Sequence, residues 1–154
     1  MRHAALAEEQ CSIARTVAIL GERWTMVILR QAFLGARRFE DYQAGLGIAR
    51  NMLTDRLRGL VEHGILERRL YHERPPRYEY RLTGKGRDLY PILVAMLEWG
   101  DRYGGLDEPP MQLRHKCGEL MHPQLVCDHC GEAVEPRDVT PERGPGAVPA
   151  SVAP

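Results

Sequence analysis

Two groups of residues in this 154-residue chain have the types and spacing to do chemistry. The first is His115-Lys116-Cys117-Gly118 followed by Cys127-Asp128-His129-Cys130-Gly131. Cys-x-x-Cys-Gly is a turn that lets two thiolates grip one tetrahedral Zn²⁺, with glycine relieving the backbone. His115, Cys117, Cys127 and Cys130 together would close a structural zinc site, with His122 and His129 as spare donors. The first half has a single residue between its ligands, one fewer than the usual minimum of two, which makes a shared tetrahedron harder to close. Unligated or redox-active thiols are the opposing reading. No fourth position is left open for catalytic zinc. The sequence requires no cofactor, and structural zinc is the one it could hold.

The second group is cationic. On a helix running from about Ala49 to His63, Leu53, Leu57, Leu60 and Val61 fall on one side, and Asn51, Thr54, Asp55 and Arg58 fall on the other. Arg50 flanks that outer face near the helix start. Asn and Arg carry the bidentate donors that match adenine and guanine edges in the major groove. The bland alternative is an amphipathic helix with a solvated outer face. Beyond it, Arg68, Arg69, Arg74 and Arg77 lie on or beside a second element, with His72 among them and Glu73 the only acid between His72 and Arg77. Arginines on a rigid two-stranded projection suit phosphate contact or a narrow minor groove. Charge protecting a sheet edge is the competing explanation, but it would accept either sign. Arg38, ahead of the preceding helix, joins the candidate set: Arg38, Arg50, Asn51, Thr54, Asp55, Arg58, Arg69, Arg74 and Arg77.

The elements that must position these residues follow from periodicity and breakers. Residues 12–20 predict a helix stopped by Gly21, and 22–34 a second with Trp24, Val27, Ile28 and Gln31 along one stripe. Residues 39–44 predict a third, broken by Gly45-Leu46-Gly47. After the fourth helix, Ile65–Tyr71 and Tyr78–Leu82 alternate as strands around a polar, proline-stiffened loop, His72 to Arg77. Thr83 caps a last helix reaching about Tyr103, where Pro91 predicts either a kink or a late start. Helix, helix, helix–tight turn–helix, hairpin, helix is the order of a winged helix-turn-helix. The fold class is mainly α with a small β-hairpin wing.

Charge sharpens this. The chain is formally neutral, with 21 Lys and Arg against 21 Asp and Glu. Residues 30–87, however, hold thirteen basic against seven acidic side chains, and the remainder reverses the excess of six. A basic body inside a neutral chain is the electrostatic footprint of a nucleic-acid binder. The longest apolar run is far short of the roughly 20 residues that span a bilayer, and no secretory pattern opens the chain. A cytoplasmic protein with no membrane partner is expected. No phosphate loop, nucleophile elbow or carboxylate dyad is present, so an enzyme is not expected. The alternative function is a thiol-based redox or zinc-dependent interaction protein using the C-terminal Cys/His cluster.

These blocks resemble a known family. Cys11-Ser-Ile-Ala-Arg15, Leu20-Gly-Glu-Arg-Trp24-Thr-Met-Val-Ile-Leu-Arg30 and Arg38-Phe39-Glu-Asp-Tyr42 are similar to the opening of the HxlR-type winged helix-turn-helix transcriptional regulators. Gly47 to Leu66, Pro76 to Gly86 and Trp99-Gly-Asp101 continue the match in order. The resemblance implies a bacterial regulator that binds double-stranded operator DNA as a homodimer, so that the operator should be near-palindromic. It also implies a dimer interface on the first and last helices, carried here by Ile13, Val17, Leu20, Leu89, Ile92, Leu93, Met96 and Leu97. The family includes redox and electrophile sensors with a cysteine near the position of Cys11. A helix N-terminus favours thiolate, which makes Cys11 a candidate sensor, against a small apolar residue at the interface. A small molecule or a redox change is the expected kind of signal, and the sequence names no effector. Residues 10–104 are therefore expected to form the DNA-binding and dimerisation domain. Residues 105–139 are read as a linker with a small zinc-knuckle-like extension, and 140–154 as a disordered Pro/Gly/Ala-rich tail.

Overall fold

The apolar periods become helices in the computed structural model, which describes residues 3–147. Two compact units divide the chain, residues 1–93 and 94–154. The first contains α1 (His3–Glu8), α2 (Ser12–Leu20), α3 (Thr25–Phe33), α4 (Phe39–Leu46), α5 (Arg50–Glu62), β1 (Leu66–Glu73), β2 (Pro76–Leu82) and α6 (Gly84–Arg87). The boundary falls inside α7 (Tyr90–Tyr103).

The core of the first unit gathers α3, α4, α5 and the base of the hairpin. Ile28, Leu29, Tyr42, Leu53 and Leu57 are fully buried, with Ile48, Leu60, Ile65 and Leu66 nearly so. Each such apolar side chain contributes roughly 1.5–3 kcal/mol by leaving water. The stripe of α5 at spacings of four and three residues supplies Leu53, Leu57 and Leu60, as its sequence predicts. β1 and β2 pair antiparallel, Leu66 opposite Leu82 through Leu70 opposite Tyr78. The unit is mainly helical with a two-stranded antiparallel hairpin, a winged helix-turn-helix.

Several local expectations shift for identifiable reasons. α3 starts at Thr25 rather than residue 22, because Trp24 takes a left-handed φ of 83° that no helix can run through. Its buried stripe is then Thr25, Ile28, Leu29 and Ala32, and Gln31 turns its amide to donate to the Gly45 carbonyl at 3.2 Å. α4 runs through Gly45 and ends at Gly47, whose φ of 61° makes the tight turn into α5. Leu46, packed against the core, draws that last turn in. The hairpin is longer than its alternation suggests: pairing continues to Glu73 opposite Pro76, past an irregularity between Leu70 and His72. Only Arg74 and Pro75 remain as the turn, and His72 Nδ1 donates to the Pro75 carbonyl across it at 2.9 Å. Of the two outcomes open at Pro91, the late start is the one found. Thr83 caps only the short α6, accepting from the Gly86 N–H at 3.0 Å. α7 then begins at Tyr90 with Pro91 in its first turn, where a missing N–H costs nothing. Helix α1 carries no sequence signal that announced it.

The second unit holds the C-terminal part of α7 and, among its described residues, one 3-10 turn at Pro136–Asp138 and two isolated bridges. From 95 to 147 no described residue is buried. Of the tail expected to be disordered, 140–147 is exposed and without helix or strand, and 148–154 lies outside the described residues.

Candidate nucleic-acid interface

α5 presents what its wheel predicts. Arg50, Asn51, Thr54, Asp55 and Arg58 are all exposed while the opposite stripe is sealed in the core. Turning α5 out in this way requires α4 beneath it, and α4 is anchored at its start. The Asp41 carboxylate accepts the backbone N–H groups of Arg38 at 2.8 Å and Arg37 at 3.1 Å, satisfying donors a helix start leaves open. Those N–H groups hold the Asp41 carboxyl below the usual carboxylate range. Tyr42, fully buried, donates its hydroxyl to the Ala36 carbonyl at 3.1 Å, and burial pushes its ionisation well above the ordinary tyrosine value.

The outer face is not a row of free cations. Arg58 is held by Asp55 at 2.9 Å and lies 3.8 Å from Glu62. Arg50 donates to the Gln43 side chain at 3.2 Å, and its guanidinium lies 4.8 Å from the centre of the Phe39 ring. Thr54 returns its hydroxyl to the Arg50 carbonyl at 2.8 Å, and Asn51 Oδ1 accepts the Met52 N–H at 2.9 Å. Asn51 thus engages its amide oxygen within its own helix, and Arg58 is oriented by an acid of that helix.

The wing separates its arginines. Arg69, near the base, pairs with Glu67 and stands opposite Glu79, so it belongs to the sheet's own charge ladder. Arg77 and Arg74 are exposed at the tip. Arg68 lies 3.5 Å from the centre of the Tyr78 ring, and Arg38 4.6 Å from that of Tyr71. The wing is docked by the Tyr80 N–H, which donates to the Arg37 carbonyl at 2.7 Å, and by a bridge from Arg38 to Glu79. A cleft of about 580 Å³ results, with Arg38, Arg77, Phe39, Tyr71 and Tyr78 among its walls. The aromatic partners Phe39, Tyr71 and Tyr78 are outside the sequence-derived set; only the run Arg77-Tyr78-Glu79-Tyr80-Arg81 alternates aromatic and arginine in the sequence.

The residues expected at a dimer interface divide. Ile13, Val17, Ile92 and Met96 are exposed, and Leu97 is half-buried. Leu20 is buried, and Leu89 and Leu93 pack against the core of their own chain. Two aromatics outside the expected set, Trp99 and Tyr103, are 66% and 62% exposed and pack on each other at 5.6 Å. Cys11 is exposed at the head of α2.

In the extension, His115 Nδ1 lies 3.2 Å from Cys117 Sγ. Hydrogen bonds from the backbone N–H groups of Cys130 and His129 and from the Cys130 side chain hold the Cys127 thiol below its ordinary value. Among the described residues no group of three or more His, Cys, Asp or Glu comes together so as to hold a metal ion. The four expected ligands thus form two pairs. His122, one of the spare donors, faces Glu98 at 3.7 Å.

Comparison with known proteins bears on the fold and the family. Residues 19–108 match the model of the HxlR-like helix-turn-helix family. An uncharacterized HTH-type transcriptional regulator of Mycobacterium tuberculosis, Rv3095, is 51% identical over 137 residues, covering 88% of this chain and 87% of that protein. The crystal structure of PA1607, assigned as a transcription factor, has a TM-score of 0.81 and 36% identity over 91% of this chain and 99% of its own. Coverage of that extent reaches well into the second unit. The redox regulator HypR in its reduced form is 34% identical with a TM-score of 0.58, covering 62% of this chain and 95% of its own.

Proposed function

The chain belongs to the HxlR-like helix-turn-helix family of transcriptional regulators, and from that premise we propose that it reads a near-palindromic operator as a homodimer. The observation that carries the reading is α5: Arg50, Asn51, Thr54 and Arg58 exposed along one side of a helix whose other side is locked in the core. In this reading α5 enters the major groove, Asn51 and Arg58 address base edges, and Arg38, Arg74 and Arg77 meet phosphates. Arg69 contributes charge to the wing and makes no base contact. The second subunit covers Ile13 and Val17 on α2 together with Ile92 and Met96 on α7, apolar side chains that the single chain leaves in water.

Selection of bound sequences from a random duplex library, at one stated salt concentration, tests both halves. The expected product is an inverted repeat with half-site centres about 10 bp apart or a multiple of that. Enrichment of a single half-site would remove the dimer, and no enrichment would remove sequence reading.

A thiol-directed signal is the second part of the proposal. Its support is the exposed Cys11 beside Ile13 and Val17, together with a structural neighbour described as a redox regulator. A mild thiol oxidant should shift the midpoint of operator binding for the native chain and leave Cys11→Ser unmoved. A response retained by Cys11→Ser would place the sensor elsewhere.

A further inference from the structure

The two Cys/His segments are one backbone pattern used twice. In the first, the His115 N–H donates to the Glu119 carbonyl at 2.9 Å and the Gly118 N–H returns to the His115 carbonyl at 2.9 Å. In the second, the Cys127 N–H donates to the Glu132 carbonyl at 2.9 Å and the Gly131 N–H returns to the Cys127 carbonyl at 2.8 Å. Each turn is closed by an antiparallel bridge, Arg114 with Leu120 and Val126 with Ala133. Each has one further rung, Met121 to Leu113 at 2.8 Å and Val134 to Leu125 at 2.9 Å. Each glycine after the second donor has a positive φ, 97° at Gly118 and 75° at Gly131, which a side chain would resist. Leu113–Met121 and Leu125–Val134 are therefore the same knuckle, differing by one residue inside the turn.

That one residue is the objection the spacing raises, and the geometry answers it. His115 Nδ1 and Cys117 Sγ stand 3.2 Å apart. With Zn–N near 2.0 Å and Zn–S near 2.3 Å, the N···S edge of a zinc tetrahedron is about 3.5 Å. A histidine reaches further from the backbone than a cysteine does, so His-x-Cys spans what Cys-x-x-Cys spans.

We propose that the two knuckles are the halves of one structural Zn²⁺ site, with His115, Cys117, Cys127 and Cys130 as its four ligands. Binding deprotonates three thiols, releases three protons to solvent and leaves a centre of net charge −1. In this reading the ion supplies the bonds that join the two pairs, so that metal binding and ordering of the extension are one event. Four protein ligands leave no open position, which makes the site structural.

The test is metal content and cobalt spectroscopy on the full chain kept reduced. Purified protein should carry about one zinc per chain, and Co²⁺ replacement should give the intense visible bands of a tetrahedral ion with thiolate charge transfer. Thiol titration of the native protein should find Cys11 alone reactive, with all four cysteines reactive after chelation. His115→Ala and Cys117→Ser should each lower zinc retained against a chelator by at least about tenfold, whereas His122→Ala should change nothing. Co²⁺ titration of the native chain keeps the test valid if a variant fails to fold. Octahedral Co²⁺ without thiolate bands, four reactive thiols before chelation, or binding indifferent to His115 and Cys117 would each overturn the shared site.

Discussion

The two units of this chain are held together by different physics. In the first, apolar side chains from α3, α4, α5 and the hairpin base disappear entirely from solvent. In the second, no described residue beyond Val94 is buried, and order comes from tight turns and short bridges. A sealed core fixes a helix face to a fraction of an ångström, which a surface that distinguishes base pairs requires. A stretch of chain with no core needs a local staple to have any fixed shape. The difference separates a part whose geometry rests on a sealed core from a part whose order rests on local turns and bridges.

Substitutions in each part put that contrast to the test. The largest effect belongs to the core: Leu57→Ala should cost about 2–5 kcal/mol in chemical denaturation and carry DNA binding down with it. A loss below about 1 kcal/mol would mean that the core is looser than its burial implies. Next comes the reading face, where Arg58→Ala or Asn51→Ala should cost roughly 1–3 kcal/mol at one operator position and leave stability nearly unchanged. A uniform loss on every sequence would take α5 out of the groove. Tyr42→Phe removes one buried hydroxyl donor and leaves the Ala36 carbonyl short of a partner, for about 1 kcal/mol of stability. A smaller, pH-dependent effect sits at the start of α4. The Asp41 carboxyl lies below its unfolded value, so its contribution is full above the ordinary carboxylate range and fades as pH falls through the lowered one. Asp41→Asn should therefore narrow the gap to native stability as the solution is acidified, read by thermal melts across that range. The smallest effect is expected from removing residues 111–154: the unfolding midpoint of the first unit and its half-site preference should stay within about 0.5 kcal/mol of native. A larger shift would show that the extension supports the body after all.

What the sequence made legible follows the same division. Burial writes itself into periodicity, so α2, α5 and the hairpin were readable from Leu53, Leu57 and Leu60 and from the alternation around Tyr78. Exceptions occurred where one residue's backbone or one side chain overruled the pattern. Trp24 delays α3 by its left-handed φ, Leu46 pulls α4 through Gly45, and His72 shortens the hairpin turn by bonding across it. Partner choice was less visible. Nothing in spacing alone distinguishes Arg58 held by Asp55 from Arg69 held by Glu67, since each has an acid within three residues. The likeness of the two knuckles was hidden by a one-residue difference, because equal hydrogen-bond registers do not require equal lengths.

The Asp55–Arg58 pair has a consequence for how the protein responds to its ionic surroundings. An arginine that meets DNA still beside its own carboxylate displaces few of the cations condensed on the duplex. Its share of affinity is then nearly independent of salt. Thirteen basic residues in the body would suggest a steep dependence of affinity on salt. The slope should instead follow only those arginines that meet phosphates without an ion pair of their own, for which Arg74 and Arg77, exposed at the hairpin tip, are the candidates. If Arg58 addresses a base as proposed, non-specific binding would weaken as salt rises while that contact persisted, and discrimination between specific and bulk DNA would improve with ionic strength.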